Sequence, residues 1–338
     1  MNAGTIYERL VRPVLFSVSA ETAHDLAIRS LRAASNSPAA LRQLARFAPR
    51  PLPKTVFGLT FPNPVGLAAG FDKNGVAVPA WGALGFGFVE VGTVTAKPQR
   101  GNPKPRIFRY REQGALINRL GFNNDGADIV AARLRALRES GRWPAITVGI
   151  NLGKSKVTPL DEAVGDYLYS FRLLAPLADY VVLNVSSPNT PGLRALQEHD
   201  ALQRLLHAVA NENQSVGKPL LLKIAPDLSL DDLSQIIATA EESGIAGLIA
   251  TNTTLDHSAI PSASDQTGGL SGRPLFAKST EFVRAIRARS ALPIVASGGI
   301  FDAATAREKA EAGADLLQVY TGYVYRGPGL ISEIVDGL

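Results

Sequence analysis

Five asparagines and two lysines carry the first chemical signal. Asn118, Asn151, Asn184, Asn189 and Asn252 stand at or just past the ends of apolar runs, as do Lys73 and Lys223. The clearest case runs from Tyr180 to Arg194, YVVLNVSSPNTPGLR, where a buried-strand pattern gives way at once to amides, hydroxyls and a proline. A carboxamide both donates and accepts hydrogen bonds. Several converging amides therefore suit a ligand whose N–H and C=O groups alternate, as in a pyrimidine ring. One asparagine alone would be an ordinary turn residue. Five form a binding surface only if the fold gathers those strand ends.

A lysine directly beyond a buried run is not a solvated surface charge. It pairs with a neighbouring acid, Asp72 or Asp227, or it serves chemistry. Two fixed cations can hold an electron-rich ring or stabilise a reduced, anionic flavin. Further on, Ser297-Gly298-Gly299-Ile300 leads into a helical pattern from Asp302, and Tyr320-Thr321-Gly322 follows the last apolar run. Gly-Gly and Thr-Gly turns at adjacent strand ends, with a helix N-terminus behind them, match the phosphate site of α/β barrels.

Other chemistries are excluded by what is missing. The chain has no cysteine, which removes disulfides, thiolate metal sites, cysteine-ligated iron–sulfur clusters and any cysteine acid or nucleophile. His24, His199, His207 and His257 are scattered without metal-ligand spacing, so no metal site is expected.

The elements that must position these groups follow from the pattern. Apolar strands are predicted over 65–69, 88–91, 146–150, 180–184, 220–224, 247–250, 294–296 and 316–320. Helical periodicity lies between them, over 124–140, 231–242, 279–289 and 302–312. Eight such units in a chain of 338 residues predict an α/β protein, a closed (β/α)8 TIM barrel with an N-terminal helical extension. Short extra strands are expected over 56–61 and around 107–117.

The first fifty residues differ. Ile6, Leu10, Val11, Val14 and Leu15 recur at helical spacing, as do Ala23, Leu26, Ala27, Leu31 and Ala34, with a third short helix holding Leu41, Leu44 and Phe47. Arg9, Arg12, Arg29, Arg32, Arg42, Arg46 and Arg50 outnumber Glu8, Glu21 and Asp25 there. Basic amphipathic helices either lie on an anionic membrane or cap the main domain. Pro49, Pro51 and Pro53 mark a boundary. No apolar run approaches the roughly 18 residues of a membrane span, and the stretch 14–20 reads as helix rather than signal peptide, so the protein is expected inside the cell. A formal net charge of +5 admits phosphates, carboxylates, acidic lipid or nucleic acid as partners, or only solubility.

Together AAGFDK, VGTVTAKPQRGNPKPRIFR, INRLGFNN, NVSSPNTPGLR, LKIAPD, TNTT, GGLSGRPL and QVYTGYVYRGPG resemble the class 2, quinone-dependent dihydroorotate dehydrogenases. The likeness extends over essentially the whole chain. It implies FMN-dependent oxidation of (S)-dihydroorotate to orotate in pyrimidine synthesis, one FMN per chain, and electrons passed to a membrane quinone. By position Ser187 is the implied base, where class 1 members use a cysteine. The implied orotate set is Lys73, Asn118, Asn184, Asn189, Asn252 and Thr253, with the loop Arg119, Leu120, Gly121 and Phe122. The implied FMN set is Ala69, Gly70, Phe71, Asp72, Lys73, Thr93, Asn151, Asn184, Lys223, Thr251, Gly272, Gly299, Tyr320 and Thr321. His24, Arg109 and Tyr320 match positions lining a quinone tunnel.

The resemblance also implies two parts: a membrane-contacting tunnel segment, 1–48, and a catalytic barrel, 49–338. It implies peripheral attachment at the cytoplasmic face of the cell membrane, a monomer, and no nucleic-acid partner. Two other barrels remain open on residues alone. A dihydrouridine synthase acting on tRNA resembles enzymes that need a cysteine, which is absent here. A phosphosugar isomerase or aldolase would use Lys73 as base or Lys223 as Schiff base and would be colourless.

Overall fold

Runs of valine, isoleucine and leucine without polar alternation make strands buried on both faces, which is what a parallel barrel wrapped in helices requires. The computed structural model describes residues 3–338. A hairpin of β1 (Lys54–Val56) and β2 (Leu59–Phe61) comes first. Then follow β3 (Val65–Leu67), β4 (Phe88–Val94), β5 (Ile107–Tyr110), β6 (Ala115–Asn118), β7 (Thr147–Leu152) and β8 (Tyr180–Asn184). The last strands are β9 (Leu220–Ile224), β10 (Gly247–Ala250), β11 (Gly269–Gly272), β12 (Ile294–Ser297) and β13 (Leu316–Val319). β3, β4, β7, β8, β9, β10, β12 and β13 close into a parallel barrel in chain order. The expected eight-stranded barrel is therefore present.

Two further sheets finish it. The β1–β2 hairpin packs Val56, Phe57 and Phe61 against Phe88, Tyr180 and Leu316, sealing the amino-terminal end. Glycine makes room for those rings: a Cβ on Gly149 would stand 2.1 Å from the Tyr180 ring. At the other end β11, β6 and β5 form an antiparallel sheet pairing Gly269 with Asn118 and Gly272 with Ala115. The extra strands predicted over 56–61 and around 107–117 are thus both there. β11 was not anticipated.

The N-terminal helices are α1 (Ala3–Ile6), a π-helical turn Tyr7–Val11, α2 (Arg12–Ser17), α3 (Ala20–Ser35) and α4 (Pro38–Leu44). They are followed in the barrel by α5 (Val78–Ala83), α6 (Ala127–Glu139), α7 (Ala163–Leu174), α8 (His199–Asn213), α9 (Leu230–Glu242), α10 (Phe276–Arg287), α11 (Ala303–Glu311), α12 (Thr321–Arg326) and α13 (Gly329–Gly337). Polar contacts dock the N-terminal part onto the barrel. Tyr7 Oη donates to Val324 O at 2.7 Å, and Glu8 pairs with Arg326 at 2.7 Å. Arg109 donates to Leu15 O at 3.0 Å and to Val18 O, satisfying carbonyls at the end of α2. The buried Glu21–Arg106 pair closes at 2.6 and 2.9 Å. Leu10, Val14 and Leu26 stay exposed, Leu26 at the rim of a cavity beneath these helices, with Arg9 and Arg29 exposed as well. Among the described residues no helix is long and apolar enough to cross a membrane.

Candidate active site

At the carboxyl ends of the barrel strands lies a cavity of about 1080 Å³, counting space open to solvent. β8 points Asn184 and the turn after it into the cavity, β9 adds Lys223, and β10 leads to Thr251, Asn252 and Thr253. The cap strand β6 contributes Asn118, and the loop after it Leu120, Gly121 and Phe122.

The amides form two hydrogen-bonded groups, Asn151 with Asn184 and Asn252, and Asn118 with Asn189. Thr93 Oγ1 donates to Asn151 Oδ1 at 2.5 Å, and Asn184 Nδ2 donates to both Thr93 Oγ1 at 3.1 Å and Asn151 Oδ1 at 3.2 Å. Asn252 Nδ2 donates to Ser186 Oγ at 3.0 Å, and Asn189 Nδ2 reaches Asn118 O and Oδ1 at 3.1 and 3.2 Å. Asn151, Asn184 and Asn252 are held at both the Nδ2 and the Oδ1 end, whereas among the described residues Asn118 keeps its Nδ2 and Asn189 its Oδ1 for a ligand. Ser187, only 5% exposed, accepts the Asn189 N–H at 3.3 Å on Oγ and keeps its own proton free to donate. Arg194 ties this loop to its neighbour by donating to Ser186 O at 3.1 Å and Thr253 O at 3.2 Å.

The two lysines find different settings from those expected. Asp72 accepts the Val76 and Ala77 N–H groups at 2.9 and 2.8 Å and Trp81 Nε1 at 3.1 Å, bonding no lysine. Asp227 holds Arg194 and Lys278. Lys223 instead stands 3.7 Å from Glu90, a fully buried acid on β4 that also accepts Asn151 Nδ2 at 2.7 Å and Gln318 Nε2. Lys73 makes no direct hydrogen bond or ion pair among the described residues. Its ammonium pKa is pushed down to about 8, first by burial and then by the Arg106 charge, against the pull of Glu21, Asp25 and Asp72. It gives the cavity its uncompensated positive charge.

At the opposite end Gly272, Gly298, Gly299, Ile300, Tyr320 and Thr321 line a cradle. Gly298 and Gly299 have φ of +118° and +74°, a conformation other residues resist. Ser271 and Thr321 share a hydroxyl contact at 2.9 Å across it. At the helix N-terminus expected behind this site, Asp302 and Thr305 close a capping box on α11. Thr321 and Gly322, the first residues of α12, bring a different helix N-terminus to the cradle.

Nineteen of the residues proposed from sequence for catalysis, substrate or FMN line this cavity, Ser187, Ala69, Gly70 and Thr251 among them. Four do not. Arg119 turns outward to Pro105 O and Thr267 Oγ1, and Phe71 lines a second cavity. Asp72 and Asn151 act one layer behind, through the bonds above. Sequence reading missed Glu90 and Gln318, whose signal was a charged and an amide residue inside apolar runs that must be fully buried. The carboxamide Oε1 of Gln318 is buried on the cavity wall without a hydrogen-bond partner among the described residues, so the wall is built for a polar ligand.

The second cavity, about 1130 Å³ including open space, lies beneath the N-terminal helices. Its lining is mainly apolar, from Val11, Leu15, Phe16, Leu26, Leu31 and Phe71, with His24, Ser30 and Arg109 among the polar exceptions. His24 is not the surface residue its helix suggests: Nε2 lies 2.8 Å from Phe71 O. Ile107, Leu116 and Tyr320 line both cavities, so one wall separates the polar chamber from the apolar one.

Comparison with known proteins agrees with this geometry. The family model described as dihydroorotate dehydrogenase matches residues 51–338. The chain is 52% identical over 334 residues to dihydroorotate dehydrogenase (quinone) of Gloeobacter violaceus, covering 98% of this chain and 93% of that one. The protein of the same name from Cyanothece sp. is 50% identical over 357 residues, covering 98% and 94%. The crystal structure of DHODH from Eimeria tenella in complex with ferulenol superposes with a TM-score of 0.86 at 40% identity, covering 94% of this chain and 90% of that one. The chain therefore belongs to the dihydroorotate dehydrogenase family and, with these relatives, to its quinone-dependent group.

Proposed function

We propose that the protein oxidises (S)-dihydroorotate to orotate with bound FMN and hands the electrons to a membrane quinone, as a step of pyrimidine synthesis. The observation that carries this is the shared wall. A chamber of amides, a serine and an unpaired lysine meets an apolar chamber at Ile107, Leu116 and Tyr320, as a two-substrate redox reaction between a polar ring and a lipid requires. FMN would lie along the polar chamber, its phosphate in the Gly298–Gly299 and Thr321 cradle and its ring near Lys73 and Lys223. When bound it supplies the two-electron acceptor for hydride from substrate C6.

The chain's own residues do the rest. Asn118, Asn189, Asn184 and Asn252 orient the dihydroorotate amides, and Lys73 offsets negative charge gathering at the ring. Ser187 takes the C5 proton. A serine hydroxyl is a poor base at neutral pH, so the proton must be passed on as it arrives. Thr190, three residues further, has a buried Oγ1 without a hydrogen-bond partner among the described residues and is our candidate for that relay. The Lys223–Glu90–Gln318 cluster keeps a charge pair under the site without adding net charge.

The apolar chamber would admit the quinone past His24 and Arg109. In this reading residues 1–48 form the membrane-contacting part and 49–338 the catalytic barrel. Exposed Leu10, Val14 and Leu26, with Arg9 and Arg29 exposed as well, suit peripheral attachment to the cytoplasmic face of an anionic membrane. The cavities are formed within one chain, which suits a monomer. Steady-state turnover with dihydroorotate and a short-chain quinone, set beside fumarate and NAD⁺, tests the proposal. Quinone should be the strongly preferred acceptor, and preference for either soluble acceptor would overturn the assignment.

A further inference from the structure

Lys309 lies on α11 with no exposed surface, although its sequence setting, AREKAEAG, is that of a solvent-facing helix. Buried ammonium groups normally face a carboxylate. This one does not. Its helix neighbour Glu308 pairs with Arg284 of α10 at 3.0 Å. On α13, Glu333 is held by Arg326 and Asp336 by Arg50, while β13 brings no charged side chain. Lys309 Nζ instead donates to Ser279 Oγ at 2.5 Å and Phe276 O at 3.3 Å, and lies 5.0 Å from the Phe276 ring centre.

Those two residues back the anion cradle. Ser279 Oγ lies 3.1 Å from both Gly298 O and Phe276 O. Phe276 O already accepts from Lys309 and, at 2.8 Å, from Thr280 Oγ1, which leaves Gly298 O as the acceptor for the Ser279 proton. With an oxygen lone pair occupied by Lys309, its proton is directed elsewhere. Gly299 is pressed on the same helical turn, since a Cβ there would lie 2.4 Å from Phe276 Cβ. The cation thus stands two hydrogen bonds behind Gly298, on the side away from the cavity.

We propose that Lys309 is a positioning residue for a bound phosphate. Through Ser279 it draws the Gly298 carbonyl outward, holding the cradle open to an anion, and its buried charge is the unmatched counter-charge for that anion. This rests on the flavin reading above. Burial pushes its pKa down to about 7, with Glu308 raising it and Arg284 lowering it. The charge is therefore present below about pH 7 and lost above it unless the phosphate retains it.

The test compares FMN with riboflavin, which lacks the phosphate, on the full chain freed of flavin and followed by flavin fluorescence. The ratio of the two dissociation constants isolates the phosphate contribution. Lys309→Met should cut that ratio at least tenfold at pH 7 while leaving riboflavin binding unchanged, and the gap from wild type should narrow by pH 9. Lys73 is common to both proteins, so its titration cancels in the comparison. An unchanged ratio would overturn the proposal. If Lys309→Met does not fold, Ser279→Ala carries the test, with the same loss of ratio expected and an unchanged ratio decisive against it. Wild type binding neither flavin would instead defeat the flavin reading itself.

Discussion

Replacing Lys73 by methionine should make the flavin-free protein more stable at pH 7 while abolishing its reduction by dihydroorotate. Lys73 is only 8% exposed, and its pKa falls from the ordinary 10.5 to about 8. At 1.36 kcal/mol per pH unit, holding the charge costs roughly 3 kcal/mol relative to an exposed lysine. Methionine fills similar space without that cost. Since the folded pKa lies below the unfolded one, the penalty is complete below about pH 8. Between about 8 and 10.5 the folded chain releases the proton first, so wild-type stability rises with pH and the variant's advantage closes. Urea unfolding of both proteins at pH 7 and pH 10 measures this, and wild-type reduction by dihydroorotate should weaken above about pH 8 as the charge disappears. A variant no more stable than wild type at pH 7, or with an undiminished gap at pH 10, would refute the reasoning.

Other perturbations separate the remaining parts. Ser187→Ala should keep FMN yet slow flavin reduction at pH 7 by roughly 10²–10⁴-fold, the range of a lost general base; near-normal reduction would remove Ser187 from that role. Glutamates at exposed Leu10 and Val14 should release the protein from anionic vesicles while leaving reduction by dihydroorotate intact, and undiminished sedimentation with vesicles would count against the membrane reading. Gly149→Ala should destabilise the barrel by about 1–3 kcal/mol, because the Tyr180 ring occupies the space the methyl needs. A urea midpoint equal to wild type would show that the ring can move aside.

The barrel was legible because local pattern and global fold agree there. The strands over 180–184, 220–224 and 247–250 have the predicted bounds. Strand β4 runs on to Val94 rather than stopping at Val91, because Gly92 stays in the ladder and pairing resumes at Val94 after a bulge at Thr93. β11, with the sequence GLSG, shows no strand pattern; its pairing with β6, some 150 residues earlier in the chain, supplies the structure. The gathering of the asparagines could be read once a barrel was assumed, since strand ends meet there by construction. Ion pairing could not. The partner of Lys223 comes from a distant strand, Glu90 on β4, whereas the sequence offered only the adjacent acids. Lys309 was equally hidden, because a lysine between two glutamates carries no local sign of burial.

The most direct test is the visible spectrum of the purified full chain, recorded anaerobically before and after adding dihydroorotate. A yellow protein that bleaches is the expected result, establishing flavin, substrate and the reductive half-reaction together. A yellow protein unchanged by dihydroorotate would contradict the substrate assignment, and one colourless even after FMN is supplied would contradict the redox reading.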